Sequence, residues 1–289
     1  MTSNRERFRA AATEDRPDLV LLCLLIGAES TAYGAGAPLE ESVVDETQIE
    51  LDRLAGLLPA SLRGGQGAAT GGEPRAWAMA LRRLLGEEYG FYGTPADYRR
   101  LDSSLLQAVL ARRRGLPILL SLVWSEVARR AGAPVYGVAL PGHYVVGFGD
   151  PGGEQVLADP FDGGRLLAEG EVESLLARHS GPSTPESRSP LRPADPLQTV
   201  LRVLNNIRAW AAARPEHSDV QLWSLELSLL LPHHPAELRR ERARLLVERG
   251  EFIRGAEHLE EYADVIATME PAAADALRRE ARSARARLN

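Results

Sequence analysis

Apolar residues recur at helical spacing through the first 60 residues of the chain. The pattern is clearest in "DETQIELDRLAGLL", which places apolar side chains at Ile49, Leu51, Leu54, Leu57 and Leu58. The segments "RERFRAAA" and "DLVLLCLLIGAE" come before it and are helical by the same pattern. The region from residue 6 to about residue 60 is therefore predicted to be a set of helices.

Three more helices are predicted before Gly132. The segment "PRAWAMALRRLLGEEYGF" has an apolar helical face and a glycine stop. The segment "DSSLLQAVLARRRG" has an N-cap candidate in Asp102 or Ser103 and ends with arginines and Gly115, which are typical of a helix C-terminus. The third helix begins at Pro117, because proline is tolerated in a first turn whose N–H groups have no partner.

After Gly132 the period of the pattern changes from 3.6 to 2. The short runs "VYGVAL", "HYVVGF" and "EQVLAD" predict three strands, and "GDPGG" between the second and third is a strong turn signal. These strands are expected to form an antiparallel meander. With the turn centred near Pro151, facing residue numbers sum to about 302, which places His143 opposite Asp159.

Two stretches of the chain carry loop signals. Residues 63–74 are glycine-rich but lack the Gly-Lys-Ser/Thr ending of a phosphate-binding loop, so they indicate flexibility. Residues 179–196 are rich in proline and serine and are predicted to be a linker.

Beyond this linker, five helical segments have the length and spacing of roughly two helical repeats, with Gly250 in a turn and Ala256 at a close helix crossing.

The composition excludes some kinds of chemistry. The chain has 289 residues, with 34 basic and 40 acidic side chains and a formal charge of -6, so nothing favours a nucleic-acid partner. Every basic residue is arginine, which we attribute to a GC-rich coding bias. Without lysine, the protein cannot form a Schiff base or hold pyridoxal phosphate covalently.

The single cysteine, Cys23, excludes an intramolecular disulfide and favours a reducing cytoplasm. It lies in an apolar run of about ten residues, which is too short to span a bilayer and lacks the flanks of a signal peptide. The run is predicted to be a buried helix, and no membrane partner is expected.

His143 and Asp159 are the candidate catalytic pair. In a papain-like cysteine hydrolase or transferase, a thiolate lies at a helix N-terminus, a histidine on a nearby strand is the base, and a carboxylate orients the histidine. The histidine and carboxylate roles can be located here, and the flanking Pro141, Gly142 and Pro160 indicate shaped backbone at both positions. The alternative is that both residues cap the ends of a surface hairpin.

The order of these elements resembles the bacterial transglutaminase-like proteins of the SirB type. The motifs that carry the resemblance are "RRRGLPILLSLVWSEVARRAG", "LPGHYVVG" and "ADPFDGGRLL", with weaker support from "YGFYGTPADY", "DSSLLQAVL" and "GAEHLEEY". The resemblance implies an α+β fold: a papain/transglutaminase-like core, with a helix bundle packed on a small antiparallel sheet, and a C-terminal tetratricopeptide-like helical module. It implies a transglutaminase-like domain over residues 1–178, a linker over 179–196 and the helical module over 197–289.

The same resemblance places Pro117 at the position of the transglutaminase nucleophile, His143 at the general base and Asp159 at the orienting acid. The SirB type commonly has this Gly-x-Pro-Ile pattern, so the missing cysteine looks like a family trait. Ser121, one helical turn after Pro117, is a candidate replacement, as are Ser103 and Ser104. The alternative for Ser121 is that it packs inside the helix or donates to a backbone carbonyl.

Glu126 lies among apolar residues and needs a partner, which could be an arginine, a backbone donor or the site itself. A metal site built from His143, Asp159 and Glu126 is conceivable, but no ligand-spaced motif supports it, and neither a metal nor a cofactor is expected.

Three functions fit these residues. The favoured one is a cleft that binds or regulates a protein or peptide partner, because it needs no nucleophile. The second is an enzyme in which the His143–Asp159 pair is the general base for hydrolysis, amide formation or other acyl or proton transfer on a small-molecule or acyl substrate, with water, an amine or a serine attacking. The third is a scaffold in which only the C-terminal helices bind.

Overall fold

The computed structural model describes residues 3–35, 39–63, 73–168, 170–172, 174 and 191–287. Most of the glycine-rich loop predicted over 63–74, and most of the linker predicted over 179–196, lie outside the described residues.

Six α-helices precede the sheet in the described part of the chain. Their bounds are α1 Asn4–Ala12, α2 Leu19–Ala35, α3 Glu41–Gly56, α4 Pro74–Leu81, α5 Leu106–Arg112 and α6 Pro117–Arg130. A capping box between Ser3 and Glu6 begins α1, and prolines occupy the first turns of α4 and α6, where a missing N–H costs nothing. Cys23 is buried in α2, as predicted.

Two helix boundaries differ from the prediction. The expected helix start at Asp102 or Ser103 is wrong, because Leu101–Ser104 is a 3₁₀ turn and α5 begins only at Leu106. Leu105 occupies the N-cap position of α5 without a side-chain cap, and the Ser103 hydroxyl donates to Asp97 Oδ1 at 3.2 Å. The helix that starts at Pro74 changes after Leu81 into a π-helix over Arg82–Glu88.

The sheet is an antiparallel meander with the strand order β1-β2-β3-β4. Its strands are β1 Val135–Leu140, β2 His143–Gly149, β3 Gln155–Asp159 and β4 Arg165–Leu166. The first three were predicted from the alternating pattern, whereas the two-residue β4 was not. The predicted register is wrong by two residues: facing positions of β2 and β3, such as Val146 and Ala158, sum to 304 rather than about 302.

The turn between β2 and β3 explains the difference in register. The N–H of Asp150 donates to the carbonyl of Glu154 at 3.0 Å, and the Asp150 side chain accepts from the Gly152 N–H at 2.9 Å. The connection therefore contains five residues between Gly149 and Gln155 and is centred on Gly152 rather than Pro151. A longer turn shifts every pair that follows it.

Helix α6 packs against β1 and β2. Ten of its residues are buried, including Trp124, which has no exposed surface. On the sheet, Val138, Leu140, Val145 and Leu157 form a second apolar cluster. The middle strand β2 is buried at all five interior positions, which is typical of a strand covered on both faces.

Five helices follow the sheet: α7 Pro196–Ala212, α8 Ser218–Ser228, α9 Glu237–Glu248, α10 Phe252–Ile266 and α11 Pro271–Ala286. They correspond to the five predicted segments. Residues Met1–Asp18, Glu29–Ala37 and Leu204–Asn289 form one compact unit, and Leu19–Ala28 and Pro38–Val203 form the other.

Small side chains set the packing of the last three helices in the first of these units. Ala243, Ala256, Ala263, Ala274 and Ala281 are fully buried in one cluster. A Cβ atom on Gly255 would lie 2.9 Å from the carbonyl oxygen of Ala243. The close crossing predicted at Ala256 is thus present, and Gly250 adopts the positive φ of 85° that a turn after α9 requires.

An ion-pair network ties α1 to other helices of the same unit. Arg5 donates to Glu29 at 2.6 Å and to Glu226 at 2.7 Å, and Glu226 also faces Arg242 at 3.5 Å. The two carboxylate side chains are largely buried. Arg5 and Arg242 together offset the charges of two acids that would be costly to bury alone.

Tyr136 on β1 makes the stability of the fold sensitive to alkaline pH. Its hydroxyl donates to Gln155 Oε1 at 2.6 Å. Burial, and to a smaller extent the charge of Asp150, raises the pKa of Tyr136 to about 12. In the unfolded chain a tyrosine ionises near about pH 10. The contribution of Tyr136 to stability is thus complete below that pH and is lost as the pH rises toward the native pKa.

We predict that Tyr136→Phe flattens the fall in the free energy of unfolding between about pH 10 and pH 12. Urea denaturation at a series of alkaline pH values measures this, and the absence of lysine removes the titration that usually obscures the range. Tyr92→Phe, at an exposed position, is the control and should keep the wild-type slope. Equal slopes for both variants would contradict the prediction.

Candidate functional site

The candidate site begins at the tight connection between β1 and β2. Leu140 pairs with His143, and Pro141 and Gly142 form the two-residue turn between them. Gly142 has a φ of 69°, which is accessible to glycine at little cost. His143 is therefore the first residue of β2, and its side chain is 17% exposed.

The structure brings His143 and Asp159 together. Nε2 of His143 lies 2.7 Å from Oδ2 of Asp159. The predicted register is wrong, but the two side chains still lie close together. Residue numbers at facing positions of β2 and β3 sum to 304, whereas 143 and 159 sum to 302, so His143 and Asp159 are diagonal neighbours on one face of the sheet. Diagonal pairs in an antiparallel sheet are within reach of long side chains.

Asp159 is held at both carboxylate oxygens. While Oδ2 faces His143, Oδ1 accepts a hydrogen bond from the N–H of Phe161 at 2.9 Å. The carbonyl of Asp159 also accepts from the N–H of Gly164 at 2.7 Å, which closes the turn that follows β3. The orientation of the carboxylate is thus set before any ligand binds.

The orientation of Asp159 determines what His143 can do. An ionised carboxylate only accepts hydrogen bonds, so beside it Nε2 carries the proton and Nδ1 is left as the basic nitrogen. Nδ1 makes no hydrogen bond to any residue within the described ranges. The imidazole can therefore accept a proton from, or bind, a group that approaches Nδ1.

Two aromatic residues that no sequence motif indicated lie near His143. The ring of Phe161 meets His143 edge to face at 6.2 Å, and Tyr98 meets Phe161 in the same way at 6.0 Å. Burial and the nearby charge of Asp159 raise the pKa of Tyr98. The motifs "ADPFDGG" and "YGTPADY" contain both residues, but no local pattern indicates that they meet.

Backbone contacts connect this site to the start of α6. The N–H of Gly93 donates to the carbonyl of Phe161 at 2.9 Å, and a Cβ on Gly93 would lie 2.7 Å from the carbonyl oxygen of Gly115. Gly115 is two residues before Pro117, which is buried at the first position of α6. The segment that leads into α6 thus packs beside the loop that carries Phe161.

The other predicted site residues have structural partners. The Ser121 hydroxyl donates to the carbonyl of Tyr144 at 3.3 Å, and the residue is fully buried. Ser103 donates to Asp97. Glu126 forms ion pairs with Arg129 at 2.6 Å and with Arg130 at 2.9 Å. Ser121 thus donates to a backbone carbonyl and Glu126 pairs with arginines, which are the structural roles expected for them as alternatives to a role in the site.

The described part of the chain contains no group of three or more histidine, cysteine, aspartate or glutamate side chains that could hold a metal ion. None of its helices has the length and apolar character needed to cross a membrane.

The family of the chain follows from two matches. Residues 45–205 match the transglutaminase-like superfamily, and residues 207–289 match the tetratricopeptide repeat. Because the first match covers more than half of the chain, the chain belongs to the transglutaminase-like superfamily and carries a C-terminal tetratricopeptide repeat module. The predicted α+β class is confirmed.

Bacterial UPF0162 proteins are among its relatives. The protein from Xylella fastidiosa (strain 9a5c) is 33% identical over 163 residues, which are 55% of this chain and 58% of the relative. The protein from Pseudomonas aeruginosa is 34% identical over 167 residues, which are 58% of each chain. These are SirB-like proteins, so the predicted relationship is confirmed, although the chain spans only 58% of their length.

Among solved structures, a crystal structure of menin that reveals its binding site for the Mixed Lineage Leukemia protein is similar to 90% of this chain and 68% of that one. The TM-score is 0.43 and the sequence identity is 12%, values that support no further conclusion.

We predict that Gly164→Ala destabilises the protein by more than about 2 kcal/mol. Gly164 has a φ of 82°, and an added Cβ would lie 1.9 Å from the buried ring of Trp124. Urea denaturation measures the loss. Gly163→Ala is the matched control, because its φ of 56° is also positive but no atom lies within 4 Å of the added Cβ. A loss of the same size in both variants would show that the contact with Trp124 does not matter.

Proposed function

We propose that the chain is a peptide- or protein-binding member of its superfamily, in which the region around His143 receives a ligand without a covalent intermediate. The observation that carries this proposal is Pro117 at the first position of α6, where the family resemblance places the nucleophile. Proline has no nucleophilic atom and no N–H. Ser121, one turn later, gives its hydroxyl to the Tyr144 carbonyl in the protein interior, which supports a non-covalent role.

The groups around His143 suit a peptide. Nδ1 of the imidazole is available to a backbone N–H or a polar side chain, and Tyr98, which is 48% exposed, presents an aromatic ring with a hydroxyl. Phe161 links the two rings. Aromatic walls with a few polar groups are typical of binding sites for small molecules and peptides.

The C-terminal module supports the same proposal independently. Tetratricopeptide repeats suggest protein–protein interaction. A cavity of about 270 Å³ lies between α8 and α9 and is lined by side chains of both charges, including Glu237, Arg240 and Arg244. Side chains of both signs suit the charged ends or polar side chains of a peptide. The chain has a single cysteine, Cys23, so it cannot form an intramolecular disulfide. This suits a cytoplasmic protein, and we include that location in the proposal.

A second candidate function is general-base catalysis, and it is favoured by the 2.7 Å contact between His143 and Asp159. The carboxylate orients the imidazole and would stabilise the imidazolium that forms when Nδ1 accepts a proton. In this reaction a water or an amine attacks an acyl carbon as His143 takes its proton, and the imidazolium then returns the proton to the leaving group. No protein nucleophile is needed.

A screen of peptides, peptide amides and acyl thioesters by native mass spectrometry tests both functions. We predict that wild-type protein retains a ligand of unchanged mass, and that His143→Ala and Asp159→Asn weaken retention about tenfold or more. His258→Ala is the matched control, because His258 forms a similar pair with Glu261 on α10, at 2.9 Å. A ligand whose mass changes, with turnover lost in both site variants, would replace the binding proposal with the catalytic one.

Pro117→Cys tests whether Pro117 occupies the nucleophile position. We predict that the new thiol reacts with iodoacetamide at neutral pH about tenfold faster than Cys23, which is also buried, because His143 and the helix N-terminus favour the thiolate at position 117. Combining Pro117→Cys with His143→Ala should remove the difference. Cys23 is buried in every variant and provides the background rate. A rate that does not depend on His143 would contradict the assignment.

A further inference from the structure

Arg202 makes two hydrogen bonds to the turn that presents His143. Arg202 lies in the first half of α7, and its Nη2 donates to the carbonyl of Leu140 at 3.0 Å and to the carbonyl of His143 at 2.9 Å. These two residues flank the turn at Pro141 and Gly142. One nitrogen therefore bridges both ends of the turn.

The guanidinium of Arg202 donates its hydrogen bonds to backbone carbonyls. Its guanidinium lies 5.5 Å from the centre of the Tyr144 ring, and no carboxylate pairs with it among the residues that the structure describes. Burial lowers the pKa of Arg202. Placing a cation in a partly buried position without a counter-ion costs free energy, so the contacts that it makes there must offset that cost.

Arg202 contacts the turn that determines the distance between His143 and Asp159. Asp159 is already held by the Phe161 N–H, so the distance from the carboxylate to Nε2 depends on where the turn places His143. Gly142 adopts a positive φ and gives the turn conformational freedom. A clamp on both carbonyls removes that freedom.

We propose that Arg202 is a positioning residue for His143: by bridging the Leu140 and His143 carbonyls, it holds the imidazole at hydrogen-bonding distance from Asp159. The inference deepens the proposed function and rests on it for its significance. Arg202 acts through the backbone of His143, and contact with the ligand is not required.

Proton exchange at the imidazole tests the proposal without any substrate. In full-length protein labelled with ¹⁵N-histidine, the Nε2–H resonance of His143 is assigned by its loss in His143→Gln. We expect Arg202→Met to speed exchange of this proton with water about tenfold, because the hydrogen bond to Asp159 is no longer held in place. Asp159→Asn defines the rate without the carboxylate.

Arg208→Met is the matched control, since Arg208 lies on the same helix and pairs with Glu241 at 3.3 Å, and it should leave the exchange rate unchanged. If Arg202→Met does not fold, Arg202→Gln replaces it, because a neutral amide cannot bridge both carbonyls with a charged donor. An unchanged exchange rate in whichever folded Arg202 variant is measured overturns the proposal. A negative ligand screen overturns the proposed function and leaves this measurement intact.

Discussion

Helix α6 packs against β1, β2 and the turn after β3, and the arrangement of the site depends on this contact. Ser121 donates to the carbonyl of Tyr144, next to His143, and Trp124 fills the space beside Gly164, which closes the turn that carries Asp159. Both halves of the candidate pair are thus positioned by the same buried helix. Because protein interiors are close-packed, a change in α6 is transmitted to both strands.

On this support, the His143–Asp159 pair is oriented by backbone groups. The Phe161 N–H fixes one carboxylate oxygen, and the Leu140–His143 turn sets the imidazole. Such preorganisation suits either use of the site: a fixed imidazole binds a ligand with less loss of entropy, and it also accepts a proton with less rearrangement. What separates the two uses is whether a water or an amine attacks an acyl group of the ligand, because Pro117 stands where the family resemblance places the protein nucleophile.

The two parts of the chain are stabilised by different kinds of packing. The transglutaminase-like region buries large side chains such as Trp77, Trp124 and Phe148. The last three helices of the tetratricopeptide repeat module bury alanines and bring their backbones close together. All the cations are arginines, which present several donors in one plane, and this suits contacts such as the paired carbonyls at Arg202 and the two carboxylates at Arg5.

The sequence by itself determined the helices, the first three strands and the residues of the candidate pair, because periodicity, proline and glycine act over a few residues. It did not determine the start of α5, because a 3₁₀ turn over Leu101–Ser104 precedes that helix. Nor did it determine the register of β2 and β3, because a hydrogen bond across the turn sets the length of the turn. Only the tertiary structure placed Phe161 and Arg202 beside His143. Arg202 is 59 residues away in sequence, and contacts at that separation depend on how the whole domain packs, which no local pattern encodes.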